Sequence, residues 1–249
     1  MKNDLLISPI AWLLLTAICI TFILTGLKAV LKRTGWDKVK QRQIFLRTTI
    51  AILSWAALLL LLSYEGFFED FNTLPPRPAL AILIPLPVIL IITFSAAGSR
   101  LLKTIPSHWL VLMQTFRIAV ELLLFMAFIN GKLPVQMTFE GRNFDILTGI
   151  LALPVGYMLA RRKSFAPKLA IAFNLAGLLL LINVLVVAVL SMPTPIRYFI
   201  NEPSTQLVGQ FPFILLPGVL VPIAYTMNIL SLRQLLLKEK AKRMVMARA

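Results

Sequence analysis

Three polar residues, Gln114, Arg117 and Glu121, interrupt the apolar stretch HWLVLMQTFRIAVELLLFMAFIN from His108 to Asn130. Their spacings of three and four put all three on one face of a helix. A guanidinium and a carboxylate so placed can neutralise one another. Either can also exchange that partner for a charged solute, which is the chemistry of a binding site or a gate. The simplest arrangement is an intrahelical Arg117 to Glu121 pair with Gln114 supporting Arg117. The competing reading is structural, since buried polar groups also fix the register of packed helices.

A second concentration of chemistry follows at once. Phe139, Glu140, Gly141, Arg142, Asn143, Phe144 and Asp145 bring two carboxylates, a guanidinium, an amide and two aromatic rings into seven positions. This is the composition of a polar site, of a buttressed lid, or of an ordinary interfacial loop. Asn183, Tyr225 and Asn228 form a second tier of polar residues in apolar surroundings, where hydrogen bonding between helices is a sufficient use for them. We take Gln114, Arg117, Glu121, Glu140, Arg142, Asn143 and Asp145 as the candidate ligand-binding set.

These residues must be held by apolar elements. The chain has 249 residues, 59% of them hydrophobic and 14% charged, with a mean hydropathy of +0.86. A soluble domain of this composition would expose large sticky patches, whereas lipid-facing helices need such a surface. Seven apolar runs, at about 8–27, 47–64, 78–97, 108–130, 144–160, 169–191 and 208–232, predict an all-α bundle of seven transmembrane helices, a single domain spanning 1–249 with a basic tail from 233 to 249. No segment shows the ten-residue alternation of a membrane barrel.

Basic residues predict the orientation. Lys28, Lys32, Arg33, Lys38, Lys40, Arg42, Arg47, Arg100, Lys103, Arg161, Arg162, Lys163, Lys168, Arg233, Lys238, Lys240, Lys242, Arg243 and Arg248 fall in alternate gaps and the tail. Only Lys2, Arg77, Lys132, Arg142 and Arg197 fall in the others. The excess predicts an N-terminus outside and a C-terminus in the cytoplasm, in a plasma membrane of the bacterial inner-membrane kind. Lys2 and Asp4, ahead of the long run from Leu5 to Gly26, argue against a cleavable signal peptide.

The fifth run is short. Fifteen residues of helix, Ile146 to Ala160, cover ~22 Å of the ~30 Å of hydrocarbon. The preceding stretch, Pro134 to Asp145, is therefore expected to dip inward, where backbone is tolerated only if protein or a water-filled cavity shields it. Pro85 and Pro87 should bend the third run, and Pro212, Pro217 and Pro222 should make the seventh irregular.

Several classes are disfavoured. The formal charge of +15 sits beside membrane runs rather than on a nucleic-acid face, so no nucleic acid is expected. No lysine in the seventh run could form a retinal Schiff base. The lone His108 and lone Cys19 supply no metal cluster, haem ligation or disulfide. No cofactor or metal is expected, and an intramembrane enzyme with Glu121 or Asp145 as acid or base ranks behind the two readings that follow. The tail has the composition of a helix lying on anionic lipid. The resulting expectation is a transporter or channel-like protein with an outward-facing polar cavity for a small charged or polar solute. The alternative is a non-transporting receptor or accessory subunit that binds lipid or a protein partner.

Overall fold

The computed structural model describes residues 9 to 246 and is all-helical over them. Lys2, Asp4 and Arg248, which entered the orientation and signal-peptide readings, lie outside the described residues. Ten α-helices follow in order: α1 (Pro9–Leu31), α2 (Lys38–Tyr64), α3 (Arg77–Leu83), α4 (Pro85–Phe94), α5 (Ala96–Thr104), α6 (Ser107–Leu112), α7 (Phe116–Ile129), α8 (Ile146–Ala160), α9 (Ala166–Ser191) and α10 (Val221–Met246). Taken with the joins described below, six helical stretches are long and apolar enough to cross a membrane: α1, α2, α3 with α4, α6 with α7, α9, and the stretch Leu216–Lys240 leading into and through α10. Helix α8 is apolar but shorter, at 15 residues.

Local chemistry explains most of the boundaries. Asp37 caps α2 by accepting from the Lys40 amide at 2.6 Å, so the helix begins at Lys38, ahead of the apolar run that starts near Arg47. Its first turns are polar yet helical. Pro85 and Pro87 break the third stretch at Ile84, between α3 and α4, as proline's missing donor requires. That stretch stops at Phe94 instead of running on to 97. Ser95, extended at ψ 162, then caps α5 by accepting from the Gly98 amide at 2.9 Å. α5 has no counterpart in the sequence reading.

Between α6 and α7, Met113–Thr115 tightens into a 3-10 turn, the kind of mid-helix irregularity that marks a hinge or a strained site. α7 ends at Gly131, whose φ of +68° only glycine adopts without cost, with Lys132 N–H donating to the Ala127 carbonyl at 2.9 Å. The last stretch is irregular where its prolines fall. A 3-10 turn at Thr205–Gly209 precedes non-helical chain, and Leu216–Leu220 is a π-helical turn before α10. Helix begins at Leu216 rather than 208 and then runs unbroken through Arg233 to Met246. Pro222 cannot donate to the Gly218 carbonyl; Trp55 Nε1 of α2 does so instead at 2.8 Å.

Connecting segments gather in two groups. At one end, Arg33 lies over the Trp109 ring at 5.3 Å and Arg100 over Trp36 at 5.9 Å. Arg233 donates to Ser99 there, Gln234 to the Leu102 and Ile105 carbonyls, and Lys238 to Ser107. At the other end Ser63 donates to the Gly209 carbonyl, Gln136 to Ser191, and Asn183 to the Arg142 carbonyl. Most of the basic residues cluster at the first end.

Close packing defines the centre. Added side-chain carbon at Gly149 of α8 would lie 2.7 Å from Ile118 Cγ1 and 2.8 Å from the Ile118 nitrogen, and at Gly156 2.5 Å from Leu112. These glycines let α8 press directly on α6 and α7, as small residues do between membrane helices. α9 and α10 complete the seam, burying Asn174, Gly177, Asn228 and Ser231 between them.

Candidate functional site

α7 carries Arg117 and Glu121 inward at 1% exposure each, with Gln114 fully buried one turn earlier. The guanidinium turns away from its own helix. Arg117 Nε stands 3.1 Å from Asp145 Oδ2, and its two terminal nitrogens reach the Gly177 carbonyl at 3.4 and 3.5 Å. A side-chain carbon at Gly177 would sit 3.0 Å from Thr148 Cγ2 and 3.2 Å from Asn228 Oδ1, so glycine lets those two side chains close in beside the guanidinium. Asp145 immediately precedes α8, where the positive end of the helix dipole favours a carboxylate. Thr148, on the first turn of α8, donates to Asp145 Oδ1 at 3.5 Å.

Glu121 is held differently. Asn143 Nδ2 donates to both of its oxygens, at 2.9 and 2.8 Å, and to the Met137 carbonyl at 3.0 Å. Asn143 Oδ1 in turn accepts from the Asp145 amide at 3.0 Å. One residue therefore sets the positions of both carboxylates. The intrahelical Arg117 to Glu121 pair is replaced by a pair between α7 and α8, and Gln114 does not support Arg117; its Nε2 donates to the Ala224 carbonyl of α10 at 3.2 Å. The physical reason is directional, since an arginine preceding its glutamate by four is the weaker orientation on a helix. The Asp145 carboxylate at a helix N-terminus offers more.

The stretch before α8 enters the bundle. Glu121 lies eight residues before the end of α7, so Asn143 reaches it ~12 Å along the helix axis from that end. Gln136, Met137, Thr138, Asn143 and Asp145 are buried. The segment folds on itself through Arg142 N–H to the Gln136 carbonyl and Asn143 N–H to the Thr138 carbonyl. Phe139 stacks against Phe125 of α7 at 4.8 Å. The result is a compact plug seated over the charges.

Not every candidate residue belongs here. Glu140 and Arg142 are exposed; the Arg142 guanidinium lies over Phe199 at 5.1 Å. Asn183 pins the plug from α9 by donating to the Arg142 carbonyl at 2.7 Å. Tyr225 is buried but points elsewhere, its hydroxyl donating to the Ile82 carbonyl at 3.4 Å. Asn228 does face the cluster: its Oδ1 is 3.2 Å from where a Gly177 side chain would begin. Thr148 and Gly177 were not among the candidates. Thr148 is one helical turn from Asp145 and could have been found by that spacing, whereas a glycine within an apolar helix carries no such signal.

The assembled cluster is one guanidinium, two carboxylates and three amides, all at 5% exposure or less. Its hydrogen bonding is incomplete. Gln114 Oε1, Arg117 Nε, Asn228 Nδ2 and Asn228 Oδ1 are buried with no hydrogen-bond partner from the protein. Arg117 Nε is close to Asp145 yet misaligned for a hydrogen bond, so that pair is chiefly coulombic. Buried polar atoms without a protein partner also occur elsewhere among the described residues, at Trp12, Thr16 and Gln234 for example, but the cluster gathers four of them around one guanidinium.

Residues 76–236 match the family model described as Domain of unknown function (DUF8737). The chain belongs to that family. The matched DUF8737 stretch covers more than half of the chain and takes in every residue of the cluster, while α1 and α2 lie outside it. Neither a curated protein nor a solved structure matches the chain. Among the described residues no group of three or more His, Cys, Asp or Glu side chains is placed to hold a metal ion.

Proposed function

We propose that this DUF8737 protein is a multi-pass membrane transporter or channel-like protein that passes a small polar or charged solute through the Arg117–Asp145–Glu121 cluster. The observation that carries the reading is the incomplete hydrogen bonding of Arg117, Gln114 and Asn228. Gln114 Oε1 and both polar side-chain atoms of Asn228 have no partner, at about 1–3 kcal/mol each, and a site that receives a solute or its water would use them. Access requires the plug of residues 135 to 145 to move, because the cluster side chains are closed off from solvent. The 3-10 turn beside Gln114 and the π-helical turn before α10 are places where the neighbouring helices can adjust.

In this reading α8 is a seventh, short crossing, the plug faces outward, and the basic end lies in the cytoplasm. That orientation rests on the uneven distribution of Lys and Arg.

Thiol accessibility tests the proposal. Cys19 is buried and alone, so Cys19→Ala provides a cysteine-free background. In it, Asn228→Cys and Thr148→Cys should react in membranes with a small cationic methanethiosulfonate but not with a maleimide bearing a bulky polar group. Absence of reaction with either reagent, while Glu140→Cys on the exposed surface labels fully, would show a sealed structural cluster and leave the accessory-subunit reading.

A further inference from the structure

A cavity of about 560 Å3 opens at the basic end, where the start of α6, the turn from α8 to α9, and the last turns of α10 meet. This is the volume range of small-ligand sites. Its polar rim holds three cations, Arg162 and Lys163 from the turn and Lys238 from α10, beside the imidazole of His108 and with Glu239 as the one carboxylate. Its wall is apolar, from Pro106, Leu159 and Leu235. Two features show that it is built rather than incidental. Lys238 is fixed by donating from Nζ to Ser107 Oγ at 2.8 Å. Arg162 holds a φ of +52°, a left-handed conformation that costs a non-glycine residue about 1 kcal/mol and that turns the chain so that Arg162 and Lys163 both line the same cavity.

We infer that this cavity binds a phosphate-bearing anion, specifically the headgroup of an anionic phospholipid. The cationic rim matches a phosphodiester, and clustered Lys and Arg between membrane helices suit such headgroups. The apolar wall suits an acyl chain entering from the bilayer. A free phosphate would use the rim but not the wall. The site is separate from the Arg117 cluster and does not depend on the transport reading.

Native mass spectrometry of the detergent-solubilised full chain tests this, using phosphatidylglycerol and phosphatidylcholine of equal chain length. One phosphatidylglycerol should bind in preference to phosphatidylcholine. The triple variant Arg162→Gln, Lys163→Gln, Lys238→Gln should weaken it by about tenfold or more, while an equal charge loss at Lys32, Lys38 and Arg42 should weaken it less than about threefold. The double variant Arg162→Gln, Lys163→Gln keeps the Lys238–Ser107 bond; it should show a clear part of the loss with unchanged thermal unfolding. Equal weakening in both triple variants, or no preference for phosphatidylglycerol, would overturn the site. Competition by millimolar inorganic phosphate would support the anion chemistry with free phosphate as an occupant, and retained lipid binding in its presence would support the headgroup.

Discussion

α2 and α10 are both long helices of an apolar chain, yet 6% of the membrane-length stretch of α2 is buried against protein and 56% of that leading through α10. The first offers Leu46, Ile50, Leu53, Leu58 and Leu61 outward; the second buries Tyr225, Asn228, Ser231 and Gln234. The difference reverses the rule for soluble proteins. With hydrocarbon as solvent, apolar side chains gain little by turning inward, and the groups that must leave it are polar. The inner helices α6 to α10 are thus joined by amides, hydroxyls, an ion pair and close glycine contacts. α1 and α2 are attached mainly by apolar packing, with the Trp55 indole and the Ser63 hydroxyl each donating one hydrogen bond to the chain ahead of α10. The family match falls on the same line, covering the polar seam and leaving the two outer helices aside.

The contrast can be broken most forcefully at the ion pair. Arg117→Gln leaves two buried carboxylates without a cation and should destabilise the protein by about 3–5 kcal/mol in denaturant unfolding from detergent. A loss near zero would place these groups in water and dissolve the distinction between the regions. Glycine replacement is expected to act more moderately. Gly149→Val forces α8 off Ile118 and should cost about 1–3 kcal/mol. Gly26→Ala on α1, with nothing within 4 Å of the added carbon, should shift unfolding by less than about 0.5 kcal/mol. Equal costs would mean that α1 packs as tightly as α8.

How the outer pair is attached is sharpened by Trp55→Phe. It keeps the ring but strands the Gly218 carbonyl opposite Pro222, for a loss of about 1–2 kcal/mol by the same unfolding measurement. Smallest of all, Leu53→Ala on the exposed face of α2 should stay within about 0.5 kcal/mol of the parent. A larger loss there would reveal a protein partner covering that face.

Much of the frame was legible because proline and charge act locally. Pro85 and Pro87 marked the break at Ile84, the prolines near α10 marked its irregular entry, and the fifteen residues before Arg161 implied that the stretch ahead of α8 must enter the bundle. Burial of Arg117 and Glu121 followed from the cost of a charge in hydrocarbon. Their partners did not follow, because Asp145, Asn143 and Gly177 come from chain 22 to 60 residues away and are chosen by how helices pack. α5 was illegible for another reason: nine residues of mixed polarity carry neither a long apolar run nor a dense charge signal, and a cap on Ser95 shows only in three dimensions.

A double-mutant cycle addresses the central claim, that Arg117 is held between helices by Asp145 rather than along its own helix by Glu121. Unfolding free energies are needed for Arg117→Gln, Asp145→Asn, Glu121→Gln and the two doubles that contain Arg117→Gln. The structure requires a coupling of about 2 kcal/mol or more between Arg117 and Asp145 and a clearly smaller one between Arg117 and Glu121. Equal couplings, or a larger one with Glu121, would contradict it.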